Sequence, residues 1–272
     1  MKQLLIVLSL FFSVHVSAQD EVQNDVPFDS LSPEKQMELA IAYSDIIVND
    51  AVNPLVEEGR YMQALELLDS IEAKWKNFAD LHPTPKMYMK RALIYMQIEE
   101  WHKVVLTTTD CVNYHKDTMP DDVASLIYDL QGLAYKNLKF YQMAIRSYEN
   151  AYSYYSKSEN FSLSGQANAQ CDIADCYTYL KKYTAASSCY ERGISLYFKY
   201  FNVTKDWLLK NDLRVTDSYK ETVLGVFGAH LYKMYFYELE RGDTLAAKEC
   251  LLLSSHCGNS MAKGEYQRIY GH

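Results

Sequence analysis

Asp129 and Asp175 are the acids through which this 272-residue sequence could most readily do chemistry. Two carboxylates held roughly 5 to 10 Å apart act as proton donor and as base or nucleophile in glycoside cleavage. His256 beside Cys257 is the one His–Cys neighbour pair, and a structural metal site wants four ligands where this pair supplies two. Nucleophile elbows, P-loops, dinucleotide fingerprints and H-E-x-x-H helices are missing, as is any C-x-x-C. No cofactor and no metal are therefore expected, and the role of the two acids depends on the elements that carry them.

Those elements repeat. "GLAYKNLKFYQMAIRSYENAY", residues 132–152, sets small residues at Gly132, Ala144 and Ala151 and tyrosines at Tyr135, Tyr141 and Tyr148. With Ala144 as anchor, the same offsets recur around Ala186 as Ala174, Tyr177, Tyr183, Tyr190 and Gly193. They recur more loosely around Val104 as Ala92, Tyr95, Trp101, Thr108 and Cys111. Ala64 anchors a degenerate copy that keeps Tyr61, Leu68 and Ile71 but has Val52 in a small-residue place, and Ala247 anchors a fifth, preceded by a turn at Gly242 and Asp243. Each unit reads as a helical hairpin whose apolar side cannot be buried alone. Gly132 and Ala144 are expected to let the two helices of a hairpin approach closely, and Ala151 to admit the first helix of the next unit. The tyrosines are expected to fill the wedges around those contacts, hydroxyls at the rim.

This order of residues, from Tyr128 through Ala151, resembles the tetratricopeptide repeat, and the resemblance extends over roughly residues 33 to 254. It implies an all-α, right-handed α-solenoid of about five hairpins. The anchors stand 40, 40, 42 and 61 residues apart, where the family norm is about 34. The extra residues fall in "NFADLHPTP", "NYHKDTMPDD" and "SKSENFSLSG", where Pro83, Pro85, Pro120 and Gly165 read as linkers and helix starts. In the widest gap, Thr204 and Asp217 read as caps of a short helix and of a long one from about Ser218 to Glu240. Ser32 followed by Pro33 marks the first helix start, and Pro54 interrupts the first hairpin. The stretch from Gly258 onward reads either as a capping helix or as the opening half of a further unit.

Ahead of the repeats, Met1 to Ala18 carry one charge at Lys2, an apolar run from Leu4 to Val16 and a small-x-small ending before Gln19. This is the pattern of a cleaved secretory signal. As a helix the apolar run would rise only about 20 Å, short of a hydrocarbon core of roughly 30 Å. The expected organisation is thus a signal peptide over 1–18, a linker over 19–32 and a repeat domain over 33–272, placed in the periplasm or outside the cell with no membrane span after processing. Processing would leave 26 basic against 35 acidic residues, a net charge of −9. Such a surface repels phosphate backbones and argues against nucleic acid. The six cysteines read as small buried hydrophobes, or as partners in a long-range bridge between repeats.

Carried over by offset, the resemblance places Met89, Leu93 and Met96 on a concave groove, followed by Leu126, Asp129, Leu133, Lys136 and Asn137 in the next unit. Asp175, Thr178 and Tyr179 follow, and then Tyr232 and Phe236. This half-apolar, half-polar set implies a protein or peptide partner. It lacks the Lys and Asn set with which cochaperone members of the family clamp a C-terminal carboxylate. Sugar-cleaving helical toroids need a closed ring of more hairpins than five, so the acids are expected to solvate the groove or to select a basic partner. The expectation is a non-catalytic binding scaffold, with a ligand sensor whose curvature responds to a peptide or sugar as the rival. No motif names the partner or the oligomeric state.

Overall fold

The structure, a computed structural model, describes residues 32, 35, 38, 42, 46–79, 82–158 and 162–271. Residues 1–40 form one unit. Within it Ser32 Oγ accepts from the Lys35 backbone N–H at 3.3 Å, as a helix cap does. The expected signal sequence and nearly all of the expected linker lie outside the described residues. Residues 41–272 form a second unit, and no strand occurs among the described residues.

This second unit is a series of helical hairpins. A π-turn over Val48–Val52 leads into α1 (Asn53–Glu57). Pro54 has no N–H to continue the α-helical ladder, and the backbone loosens there until the Asn53 N–H reaches the Val48 carbonyl. After α2 (Tyr61–Ala79) come the pairs α3 (Pro85–Gln97) with α4 (Trp101–His115), α5 (Asp121–Asn137) with α6 (Tyr141–Tyr155), and α7 (Ser162–Tyr179) with α8 (Tyr183–Phe201). A short α9 (Lys205–Leu208) precedes α10 (Ser218–Arg241) and α11 (Thr244–His256), and α12 (Ser260–Tyr270) closes the series.

The turns inside the hairpins superimpose the five units. Gly59, Glu99, Lys139, Lys181 and Gly242, each five residues before its anchor, all take left-handed φ values between 57° and 79°. The next N–H then reaches back into the first helix: Arg60 to the Leu55 carbonyl (2.8 Å), Glu100 to Tyr95 (2.9 Å), Phe140 to Tyr135 (2.8 Å), Lys182 to Tyr177 (2.9 Å) and Asp243 to Glu238 (3.0 Å). These are Schellman-type closures, which satisfy carbonyls that a helix end would leave bare. The anchors Ala64, Val104, Ala144, Ala186 and Ala247 are all 0% exposed.

Small residues sit where another group fills their missing side chain. A Cβ on Gly132 would lie 2.7 Å from the Tyr148 ring of its own hairpin, as expected of that close crossing. The last small position of the repeat behaves otherwise. A Cβ on Gly193 would meet Cys171 Sγ at 2.5 Å and the Ala167 carbonyl at 2.9 Å, both on α7, the partner helix in the same hairpin. Likewise Ala151 packs with Tyr128 of its own hairpin. Gly165 lies inside α7 rather than in a linker, and the space it leaves is filled by Tyr155 from the preceding hairpin.

The inserted segment is tied down locally. Thr204 accepts from the Trp207 N–H (3.2 Å) and Asp217 from the Lys220 N–H (2.8 Å), so both act as the caps their types imply. His256 donates through Nδ1 to the Leu208 carbonyl (2.6 Å), and its own carbonyl accepts from Leu213 (2.9 Å). His256 is thereby committed to holding the insert, while Cys257 is buried with its Cβ near Gly228. All six cysteines are buried and unpaired. Asn259 caps α12, which packs Ala262 against Tyr235, Cys250 and Leu251 and so covers the last hairpin.

Candidate functional site

First helices of successive hairpins adjoin: α3 packs on α5, Lys136 of α5 reaches Asp172 and Asp175 of α7, and α7 packs on α10, and this row of helices is the wall considered below. On it Leu93, Leu126 and Leu133 are part-exposed. Tyr179 is 63% and Phe236 48% exposed, with Tyr179 stacked on Tyr141 at 4.9 Å between centroids. Met89 and Met96 turn toward the core, beside Tyr88 and Ala92 respectively. Tyr232 is part-exposed and donates to Glu265 at 2.7 Å, which ties α10 to α12.

The charged members of the set lie deeper than groove acids would. Asp175 is 6% exposed and is held from three helices: Tyr190 Oη of α8 donates to Oδ1 at 2.6 Å, Lys233 Nζ of α10 to Oδ2 at 2.8 Å, and Lys136 Nζ of α5 lies 3.5 Å from Oδ2. Burial opposes its charge, yet Lys233 and then Lys136 outweigh burial and hold the carboxyl below the usual carboxylate range. Lys136 also donates to Asp172, one turn before Asp175 on α7. Burial opposes the Lys136 charge too, but Asp172 and Asp175 together push its ammonium up.

Asp129 is part-exposed as a residue, but its Oδ1 is closed off from solvent and has no hydrogen-bond partner. Burial, followed by the Asp172 charge, raises its carboxyl to about 7, with Lys136 pulling the other way. The acid it faces is thus Asp172, not Asp175. With Asp175 committed to two lysines and a phenol, the expected pairing of Asp129 with Asp175 is replaced by a five-member ionic centre of Asp129, Lys136, Asp172, Asp175 and Lys233.

His230 completes this centre. It is 3% exposed and places Nε2 2.9 Å from Asn168 Oδ1. An amide oxygen only accepts, so Nε2 carries the hydrogen and Nδ1 faces inward as a bare acceptor without a partner. Burial lowers its basicity and keeps the ring neutral, although Asp172 and Asp175 oppose this. Sequence reasoning missed Asp172, His230 and Lys233. The first carried a signal, since Asp172 and Asp175 are spaced i, i+3 and must share a face of α7. Lys233 and His230 carried none, because their partners are 58 and 62 residues away.

No protein-family model and no curated protein matches the sequence. The fold has close counterparts among solved structures. BtubC from P. vanneervenii superimposes with a TM-score of 0.61 at 14% identity, covering 87% of this chain and 93% of that one. A putative kinesin light chain from Podosopora anserina, built of nearly identical TPR-like repeats, gives 0.53 at 16% identity, covering 90% of this chain and 100% of that one. The apo form of the quorum sensor NprR from B. thuringiensis gives 0.52 at 15% identity over 89% of this chain and 63% of its own. The repeated turns, the buried anchors and these superpositions agree, and the chain is, by fold, a tetratricopeptide-like right-handed α-solenoid.

Proposed function

We propose that the protein is a non-catalytic scaffold that captures an extended protein or peptide segment along its first-helix wall, and that it works after export, in the periplasm or outside the cell. The observation that carries the reading is the wall itself. Leu93, Leu126 and Leu133 stay part-exposed, and Tyr179 and Phe236 are exposed, on helices whose signature residues are already consumed by the core. Apolar and aromatic groups left uncovered together on a part-polar wall mark an interaction site. Asp172 and Asp175 are committed to lysines, which leaves Asp129 without a free second carboxylate to complete an acid–base pair and favours binding over glycoside chemistry. Export rests on the pattern of residues 1–18.

The test is a pull-down from envelope extract with Leu93→Asp combined with Leu133→Asp. Loss of the captured partner with unchanged helical content and Tm supports the wall as the binding surface. Undiminished capture, or unfolding of the double variant, overturns it and moves the partner to another face.

A further inference from the structure

Neighbouring second helices leave a groove between them, floored by the first helix that packs below. Between α6 and α8 the groove holds about 380 Å³, at the small end of the roughly 300 to 1,000 Å³ usual for ligand sites. Gln170, Ile173 and Tyr177 of α7, spaced i, i+3 and i+7, line its floor, and Glu149 and Tyr152 of α6 and Arg192 of α8 line its rims. Between α8 and α11 lies a second groove of about 280 Å³. Counted from the anchors, its Glu191, Ile194, Leu231, Met234 and Leu253 hold the places of Glu149, Tyr152, Gln170, Ile173 and Arg192. The two grooves are therefore one repeated feature carrying different side chains.

In the flanking units the chain completes this feature by itself. Leu231 and Leu253 are buried and make the α8–α11 groove apolar, and Lys205 pairs there with Glu249. Between α4 and α6, Gln131 is engaged at both ends of its amide. It donates at 3.2 Å to Thr109, which holds the place of Glu149, and accepts from Ser147 at 2.9 Å. The α6–α8 groove is different. Gln170 is 5% exposed, and its Oε1 has no hydrogen-bond partner, which costs free energy at a buried acceptor. Glu149 and Arg192 are exposed, and among the described residues neither is in an ion pair. Arg192 is nonetheless held at the rim, since its Nε donates to the Ser188 carbonyl at 3.3 Å and its Nη2 to Cys189 Sγ at 3.2 Å.

We infer that the α6–α8 groove is a binding site for a small zwitterion, an amino acid or a short peptide, with Arg192 taking its carboxylate, Glu149 its ammonium and Gln170 a further donor. The guanidinium hydrogens not used on Ser188 and Cys189 suit a carboxylate, and Glu149 accepts what an ammonium donates. An anion alone would meet Glu149 and a cation alone Arg192, so a molecule carrying both charges suits the groove better than either. Ile173 and the rings of Tyr152 and Tyr177 offer apolar surface to the ligand's side chain. The inference does not rest on the wall reading, because second helices make these rims and a row of first helices makes the wall, and the two fail separately.

The test is calorimetric titration of the protein with L-leucine, L-phenylalanine and glycyl-L-phenylalanine, the last with its charges further apart. We expect saturable binding of at least one, and at least about tenfold weaker binding of its N-acetyl and C-terminal amide analogues, which lack the ammonium and the carboxylate. Arg192→Gln should remove the preference over the amide and keep that over the N-acetyl form, and Glu149→Gln should do the reverse. Both side chains are exposed, so helical content should stay at the wild-type value in each variant. Gln170→Leu, which copies Leu231, should weaken every ligand; unchanged binding there overturns the site, and should this variant not fold, the two charge variants decide. Saturation by none of the three ligands, analogues that bind as tightly as their parents, or charge variants that keep both preferences also overturn it. Tightest binding of the dipeptide assigns the site to short peptides, and tightest binding of leucine or phenylalanine assigns it to free amino acids.

Discussion

Asp129 shows how a residue's role changes when its surroundings are known. By type and offset it is a groove acid, and the residue is part-exposed, but its Oδ1 is closed off from solvent and unpaired, with the Asp172 charge acting on it. Lys136, Tyr148, Tyr155, Asp172 and Tyr197 surround it electrostatically. Its carboxyl titrates near 7 when folded and near 4 when unfolded. Between those values the folded state holds a proton the unfolded state has lost, so this residue's contribution to stability falls as pH rises from about 4 to 7. Asp175 works in a separate window: its carboxyl is lowered on folding, and its contribution is present above the unfolded value and lost as pH drops below it. Asp129→Asn removes the first effect alone. We expect the variant to gain on wild type as pH rises from about 4 to about 7, by up to roughly 1.4 kcal/mol per pH unit, and to keep that gain above 7, read by thermal unfolding at pH 4 and pH 8. Parallel wild-type and variant profiles across that range would refute the assignment.

At the scale of the element, the hairpin turn carries the register. Five turns use the same left-handed residue, and in three of them it is not glycine but Glu99, Lys139 or Lys181. A side chain in that conformation costs about 1 to 2 kcal/mol, which glycine avoids. Lys139→Gly should therefore stabilise the protein by about 1 kcal/mol after allowing for the added freedom of the unfolded chain. A Tm that stays level or drops refutes this. The register itself was legible, because spacing relative to one alanine locates every turn. The partner of each small position was not, since offset along a chain does not say which neighbour fills the space. Ala151 and Gly193 were expected to admit the next hairpin, and Gly193 instead admits Cys171 of its own, while Gly165 takes the contact between hairpins.

For the molecule as a whole, the main core cluster runs from α6 through α11, so these hairpins are stabilised by burying each other's faces. Residues such as Tyr197, stacked on Phe227 at 4.6 Å, join one hairpin to the next. The proposed export is tested at this scale. Mass spectrometry of the mature protein should find its N-terminus at Gln19 or within a residue or two, since Ser17 and Ala18 supply the small residues a signal peptidase accepts. A protein recovered from the envelope with Met1 to Ala18 intact would refute both the processing and the localisation.

Read alone, the sequence determined the repeat, its anchors, the turn at Gly242 and Asp243 and the caps at Thr204 and Asp217, because each depends on neighbours within a turn or two. It also identified the leucines left over on the first helices. Only the tertiary structure decided what the charged residues do. Lys136, Asp172, Asp175, His230 and Lys233 come from three hairpins, and whether a carboxylate solvates a groove or anchors a buried ionic centre depends on how near those hairpins bring a counter-charge. That distance is set by packing between units, which no local spacing records.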